Sequence, residues 1–366
     1  MGFLPQGRVQ DLLEALARGG RRVLGPRLRD GVLAWEPLEE AGQLPWGLRV
    51  EQGPGRWRTR RSEEGLAFAW SVGPQGLKPL LFPPEEPLWR LRRGADGALA
   101  YEAGAAEAPP TAVLGVRGCD LAALALLDAH FLRPEAPDPG YAARRRGLFL
   151  VAVHCTHPAE VCFCASTGDG PAAGEGCDLA LGELPEGFLV EAASPAGEAL
   201  ARELDLEPAD GERVAWLRGA VAAAARGQQR RLPRELAGRL LARAEHPRWD
   251  EVAERCLACA GCTAVCPTCF CASHHERPGL EGESVRWRRW SSCFTEGHSY
   301  LHGIVLRAEA RDRYRQWLTH KLDAWHRQYG RSGCVGCGRC ITWCPAGIDL
   351  TEEAGALLQG PEAGGG

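Results

Sequence analysis

The chain has 366 residues, 43 basic and 47 acidic side chains, and a formal charge of −4. That length suggests two or three domains. Its 45% hydrophobic and 25% charged residues exclude a disordered chain, and the near-neutral charge argues against a nucleic-acid binder.

The opening, MGFLPQGRVQDLLEAL, has no basic n-region, and Asp11 and Glu14 interrupt its apolar run, so it does not read as a secretion signal. Val9, Leu12, Leu13 and Leu16 have helical spacing. Leu66, Phe68 and Trp70 alternate with smaller residues, as in a strand. Thr111–Val116 and Leu148–Val153 are short apolar runs that read as buried strands. Asp120 opens a helical stretch and is placed to cap it. The runs from Pro134 and Thr167 read as loops. Ser194-Pro195 starts a helix, and residues 212–226 and 233–245 have helical patterns. Farther on, Tyr314, Trp317, Leu318, Leu322 and Trp325 share one helical face and are expected in a core. No segment reaches the roughly 18 apolar residues of a membrane span. Of the 43 basic residues only Lys78 and Lys321 are lysines, a bias that a GC-rich genome would explain.

The 16 cysteines carry most of the information. In a reducing cytoplasm, the expected location, clustered thiols mean metal rather than disulfides. None precedes Cys119, and eleven lie from Cys256 onward. Cys256, Cys259, Cys262 and Cys266 have spacing x2, x2, x3 and are followed by Pro267. Cys334, Cys337, Cys340 and Cys344 repeat that spacing before Pro345. This is the two-cluster ferredoxin run, in which the fourth cysteine of each run serves the other cluster. One [4Fe–4S] cluster is therefore expected on Cys256, Cys259, Cys262 and Cys344, and a second on Cys334, Cys337, Cys340 and Cys266. Gly261, Gly336 and Gly338 lie where side chains would crowd the sulfurs. Zinc is the competing reading of paired CxxC, but a zinc site rarely uses a third regularly spaced cysteine and a Cys-Pro.

Cys119, Cys155, Cys162 and Cys164 form another constellation. Cys119 and Cys155 follow two expected strands, and ligands often sit outside the carboxyl ends of parallel strands. Two readings stand open: a third cluster, or four buried thiols. Cys269, Cys271 and Cys293 lack a fourth partner and read as thiols packed around the clusters, or as a site with one distant ligand. Cys177 reads as a small apolar residue. Gly168, Gly170 and Gly174 resemble a dinucleotide loop only superficially. His154 and His157 flank Cys155 without forming a dyad. Arg144, Arg145 and Arg146, and Arg286, Arg288 and Arg289, read as solvated faces or docking patches.

The fold expected from these patterns is a mixed domain, α+β or α/β, over residues 1–245. A largely α-helical two-cluster ferredoxin domain follows over 246–360, with a disordered tail over 361–366.

Six segments together carry a family resemblance. They are GVRGCDLAAL from Gly115, HCTHPAEVCFCASTGDGP from His154, LLFPPEEPLW from Leu80, CLACAGCTAVCPTCFC from Cys256, WSSC ending at Cys293, and GCVGCGRCITWCPAGID from Gly333. From about residue 20 onward the chain resembles the iron–sulfur β subunit of cytoplasmic NAD(P)-linked nickel–iron sulfhydrogenases. It is equally similar to the corresponding iron–sulfur component of anaerobic sulfite reductases, a related family. The resemblance implies a non-catalytic electron carrier, and the sequence shows no motif for nickel, flavin or NAD. On one side of it would lie a flavin- and NAD(P)-binding diaphorase subunit. On the other would lie the catalytic subunit of either a hydrogenase or a sulfite reductase. The resemblance also implies three [4Fe–4S] clusters, which favours a cluster on Cys119, Cys155, Cys162 and Cys164. His154 stands where the family pattern carries Asn, close enough in sequence to tune a cluster by hydrogen bonding. A self-contained enzyme would instead need an iron with only three protein ligands. A redox sensor would need exposed, labile clusters.

Overall fold

The computed structural model describes residues 1–359 except 95, 105, 107, 280 and 281. The expected tail over 361–366 lies outside the described residues. The strands, in chain order, are β1 (Gly2–Pro5), β2 (Arg22–Arg29), β3 (Val32–Pro37), β4 (Leu48–Gly53), β5 (Arg56–Arg61), β6 (Glu85–Arg93), β7 (Leu99–Ala103), β8 (Thr111–Val116), β9 (Leu148–Val153), β10 (Leu179–Leu184), β11 (Gly187–Ala192), β12 (Glu207–Pro208), β13 (Ala272–Pro278), β14 (Glu283–Trp290), β15 (Tyr300–Leu301) and β16 (Ile304–Val305).

Eight of these form one sheet in the order β12-β1-β11-β10-β9-β8-β2-β3. Its centre, β10-β9-β8-β2, is parallel, and antiparallel strands flank it on both sides. β8 and β9 are buried almost throughout, as expected of strands covered on both faces. Helix Val9–Arg18 buries Val9, Leu12, Leu13 and Leu16 against one face. Helix Gly118–Phe131 connects β8 to β9 and covers the other. The mixed α/β expectation for this part holds.

Three sequence expectations differ from the structure. Leu66–Trp70 is buried but belongs to no sheet. Its polar backbone is satisfied by side chains instead: Ala67 and Phe68 N–H donate to the Glu183 carboxylate at 2.6 and 2.9 Å. The Phe68, Trp70 and Ser71 carbonyls accept from Arg117 at 2.9, 2.5 and 3.0 Å. Buried backbone groups need partners, and side chains here replace a neighbouring strand. Asp120 lies inside the first turn of its helix rather than at the cap, with Arg117 outside it. Residues 233–245 contain only two short 3₁₀ turns, Arg234–Leu236 and Leu241–Arg243. By contrast, Pro195–Glu203 and Gly211–Gly227 are helices, and the Ser194 hydroxyl caps the first by accepting from Gly197 N–H at 3.0 Å.

The cysteine-rich part is not simply helical. Between its two runs it inserts the β13–β14 hairpin, which pairs antiparallel with β6 to make the sheet β13-β14-β6-β7. Helical periodicity is absent from 272–290, and the β-branched and aromatic residues there find a partner edge only in the N-terminal segment. The helix Ala310–Thr319 and the turns after it bury Tyr314, Trp317, Leu318, Leu322 and Trp325, as the pattern predicts.

Candidate metal centre

The first run wraps tightly before helix Gly261–Val265. Ala258 and Ala260 take left-handed φ values of 48° and 62°, a strained conformation that persists only where surrounding structure holds it. Cys256, Cys259, Cys262 and Cys344 line one small cavity. Its walls are otherwise apolar, with Phe294, Tyr314, Trp317 and Ile348 prominent. Cys340 also borders it. Burial pushes the Cys256 and Cys262 thiols up, and the neighbouring thiols add to the shift.

In the second run Gly336 and Gly338 have φ of 64° and 73°. A Cβ at Gly336 would lie 2.5 Å from Cys164 N, and one at Gly338 would lie 2.5 Å from Val161 O. Glycine is required at both by conformation and by close approach. Phe163 N–H donates to Gly336 O at 2.9 Å, which joins the Cys162–Cys164 loop to this run. Cys334, Cys337 and Cys266 are all charge neighbours of Cys340. Burial pushes the Cys334 thiol up to about 12. Cys266 moves the other way: its hydrogen bond with Cys269 and the Lys321 charge hold it well below the usual thiol range.

The N-terminal constellation assembles at the carboxyl ends of parallel strands. Cys119 starts the helix after β8, and Cys155 lies just past β9. Cys155 and Cys164 are charge neighbours of Cys162, while Cys164 and Cys337 are charge neighbours of Cys119. All four thiols are buried, and burial pushes Cys164 up to about 12. This group therefore abuts the second run through Cys337. Gln228 donates to the Cys164 sulfur at 3.2 Å. Gly170 makes room for the same sulfur, which a Cβ there would meet at 3.0 Å. Gly170 thus serves close approach to a thiol, whereas Gly168 and Gly174 have open space around their Cβ positions.

The remaining thiols divide. Cys269 hydrogen-bonds Cys266. Cys271 and Cys293 are charge neighbours, and Ser291 N–H donates to Cys271 O at 2.8 Å. Cys177 is buried among apolar residues behind β8 and β9. His154 uses Nδ1 to accept from Ala173 N–H at 3.0 Å, and His157 faces Glu64 at 3.3 Å. Arg144 and Arg288 are not solvated docking residues. Both are nearly buried and converge on Glu86, with Asp138 completing the Arg288 pairing.

Sequence reading missed four residues that contact this centre. Arg339 pairs with Asp120 between the second run and the N-terminal helix. Lys78 and Lys321 are buried beside Cys266 and Cys269. Gln228 reaches Cys164. The scarcity of lysine was the one available signal for two of them.

The donor set fits iron–sulfur clusters. It consists of sulfur, in groups assembled from distant segments and shielded by apolar walls. Among the described residues no three Cys, His, Asp or Glu side chains converge as a single metal ion requires. Burial raises most of these thiols, so loading iron must release their protons.

Residues 255–348 match the 4Fe-4S dicluster domain family. The chain is 33% identical over 260 residues to the sulfhydrogenase 2 subunit beta of Pyrococcus furiosus, covering 68% of this chain and 74% of that one. No solved structure matches. No helix among the described residues is long and apolar enough to cross a membrane. With a dicluster domain at its second cysteine-rich half and a third of aligned positions identical across most of a relative's length, the chain belongs to the iron–sulfur β-subunit family of the sulfhydrogenases.

Proposed function

We propose that this chain is the electron-relay component of a cytoplasmic oxidoreductase complex. It would carry electrons between a nickel–iron hydrogenase module and a flavin- and NAD(P)-binding diaphorase subunit. Cys256, Cys259, Cys262 and Cys344 would hold one [4Fe–4S] cluster, and Cys334, Cys337, Cys340 and Cys266 a second. Cys119, Cys155, Cys162 and Cys164 would hold a third. Each cluster, when bound, supplies a one-electron redox centre. The chain's own part is to fill every iron corner with thiolate, exclude water with Phe294, Tyr314, Trp317 and Trp325, and hold the centres side by side. With no open corner, substrate chemistry belongs to a partner.

The observation that carries this reading is Cys344 lining the same cavity as Cys256, Cys259 and Cys262. Bringing a cysteine of the second run, 78 residues on, beside the first run supports the cross-ligated reading. The neighbour relations give a route: the N-terminal group meets the second run at Cys337, and Cys340 meets the first run at Cys262.

Anaerobic purification with iron and sulfide analysis tests the reading. About 12 iron atoms per chain are expected for three clusters, and about 8 for the dicluster domain alone. Co-purification of a nickel–iron large subunit supports the hydrogenase assignment. A sirohaem protein in its place would make the same relay part of an anaerobic sulfite reductase.

A further inference from the structure

The chain has only two lysines, and both are buried, at 3% exposure, against the same thiols. The Lys321 ammonium donates to Thr268 Oγ1 at 2.9 Å and to Gly333 O at 3.4 Å. Thr268 Oγ1 lies 3.3 Å from the Cys266 sulfur. Cys266, Cys269 and Cys334 are the thiols nearest Lys321 in charge interaction. Lys78 approaches from the other side. It donates to Thr263 O and Ala264 O at 3.2 and 3.0 Å, and lies 3.9 Å from the centre of the Trp290 ring. Its thiol neighbours are Cys269, Cys266 and Cys271.

Among the described residues neither lysine has a carboxylate partner. A buried cation without a counter-ion is costly, and the negative groups facing Lys321 are the neighbouring sulfurs. Arg339 is different: it lies near Cys337, but Asp120 cancels its charge at 2.8 Å. Among the described residues no such cation lines the other ferredoxin group. No lysine or arginine lines the cavity of Cys256, Cys259, Cys262 and Cys344, and the leading charge neighbours of Cys256 and Cys262 are other thiols. Cys259 is exposed, and solvent there favours reduction of the first cluster. Its effect is dielectric screening at one corner, whereas Lys321 is a full charge inside the protein, where Coulomb interactions are weakly screened.

We propose that Lys321, backed by Lys78, is a fixed counter-charge for the cluster on Cys334, Cys337, Cys340 and Cys266, and makes it the more oxidising of the two ferredoxin centres. The inference rests on the cluster assignment proposed above. Reduction adds one electron to an already anionic cluster, and a buried ammonium stabilises that added charge. The electron comes from the redox mediator in the titration, and no bond changes. Lys321 is a tuning residue and touches no substrate.

The test is an anaerobic, EPR-monitored redox titration of the purified iron-loaded chain, with iron counted in every sample. The centre perturbed by Cys334→Ser identifies the second cluster. Lys321→Met is expected to lower its reduced-to-oxidised ratio at a fixed potential by about tenfold or more, which is about 59 mV for one electron. The first cluster should move much less. Lys78→Met should shift the same centre in the same direction by less, and Lys321→Arg should restore most of the wild-type potential. The inference is overturned if Lys321→Met retains its iron and leaves the second centre unmoved, or moves both centres equally. It is also overturned if Lys321→Arg behaves as Lys321→Met does. Should Lys321→Met lose iron, the Lys78→Met and Lys321→Arg titrations decide by the same criteria. A wild-type chain without iron or sulfide would instead sink the cluster assignment itself.

Discussion

Arg339 and Asp120 face each other at 2.8 Å, each with its side chain only 1% exposed. One comes from the second cysteine run and the other from the helix behind β8. Arg339 Nε also donates to Gly73 O at 2.8 Å, so three distant segments meet at one guanidinium. Removing one partner of a buried pair strands the other, at about 3–5 kcal/mol. Asp120→Asn should lower stability by that order in anaerobic chemical denaturation. Because Cys119 and Cys337 lie beside the pair, iron retention should also fall.

Cys155 offers a direct count. If its group holds a cluster, Cys155→Ser should remove about 4 iron atoms per chain and leave the dicluster signals in place. Cys177→Ser, in an apolar pocket behind the sheet, should leave iron content unchanged. The measurement is iron and sulfide content beside the EPR spectrum.

Gly338→Ala should weaken the seam between the second run and the Cys162–Cys164 loop. The left-handed φ costs an L-residue about 1–2 kcal/mol. The new Cβ also meets Val161 O at 2.5 Å, so backbone must shift. Lower thermal stability and partial iron loss are expected. Gly174→Ala, with open space around its Cβ position, is the control.

Glu183 should make stability depend on pH. Burial pushes its carboxyl up to about 7 from 4.5, while its two backbone donors pull it partly back. A raised native value means the folded chain binds the proton more tightly than the unfolded one. Its contribution is therefore complete below about pH 4.5 and is lost as pH rises through 7. The difference is on the order of 3 kcal/mol at about 1.36 kcal/mol per unit. Comparing unfolding midpoints of wild type and Glu183→Gln from pH 5 to 8 isolates it. The wild type should lose stability relative to the variant as pH rises.

The dicluster domain was legible because its cysteine runs have a fixed spacing in the sequence. Local patterns also placed β8, β9, helix Val9–Arg18 and the aromatic face around Tyr314 and Trp317, since burial imposes period 2 or 3.6 on neighbouring residues. Alternation misled at Leu66–Trp70. Buried alternation looks the same whether a strand or the side chains of Arg117 and Glu183 satisfy the backbone. Arg144 and Arg288 read as solvated because their partner Glu86 is distant in sequence. The β13–β14 hairpin escaped notice because its pairing partner, β6, lies about 190 residues earlier.

The sequence by itself determined the chemistry of the second half: two equally spaced cysteine runs, their glycine spacers and the family they belong to. Spacing encodes that information because short loops must wrap each cluster. Only the tertiary structure decided what surrounds the sulfurs. It alone sets the only two lysines against Cys266 and Cys269, binds Arg339 to Asp120, and brings Cys119 and Cys164 against Cys337. Such contacts join segments far apart in the chain, 266 residues in the case of Arg339 and Gly73. Electrostatic neighbours act through space, so no local pattern records them.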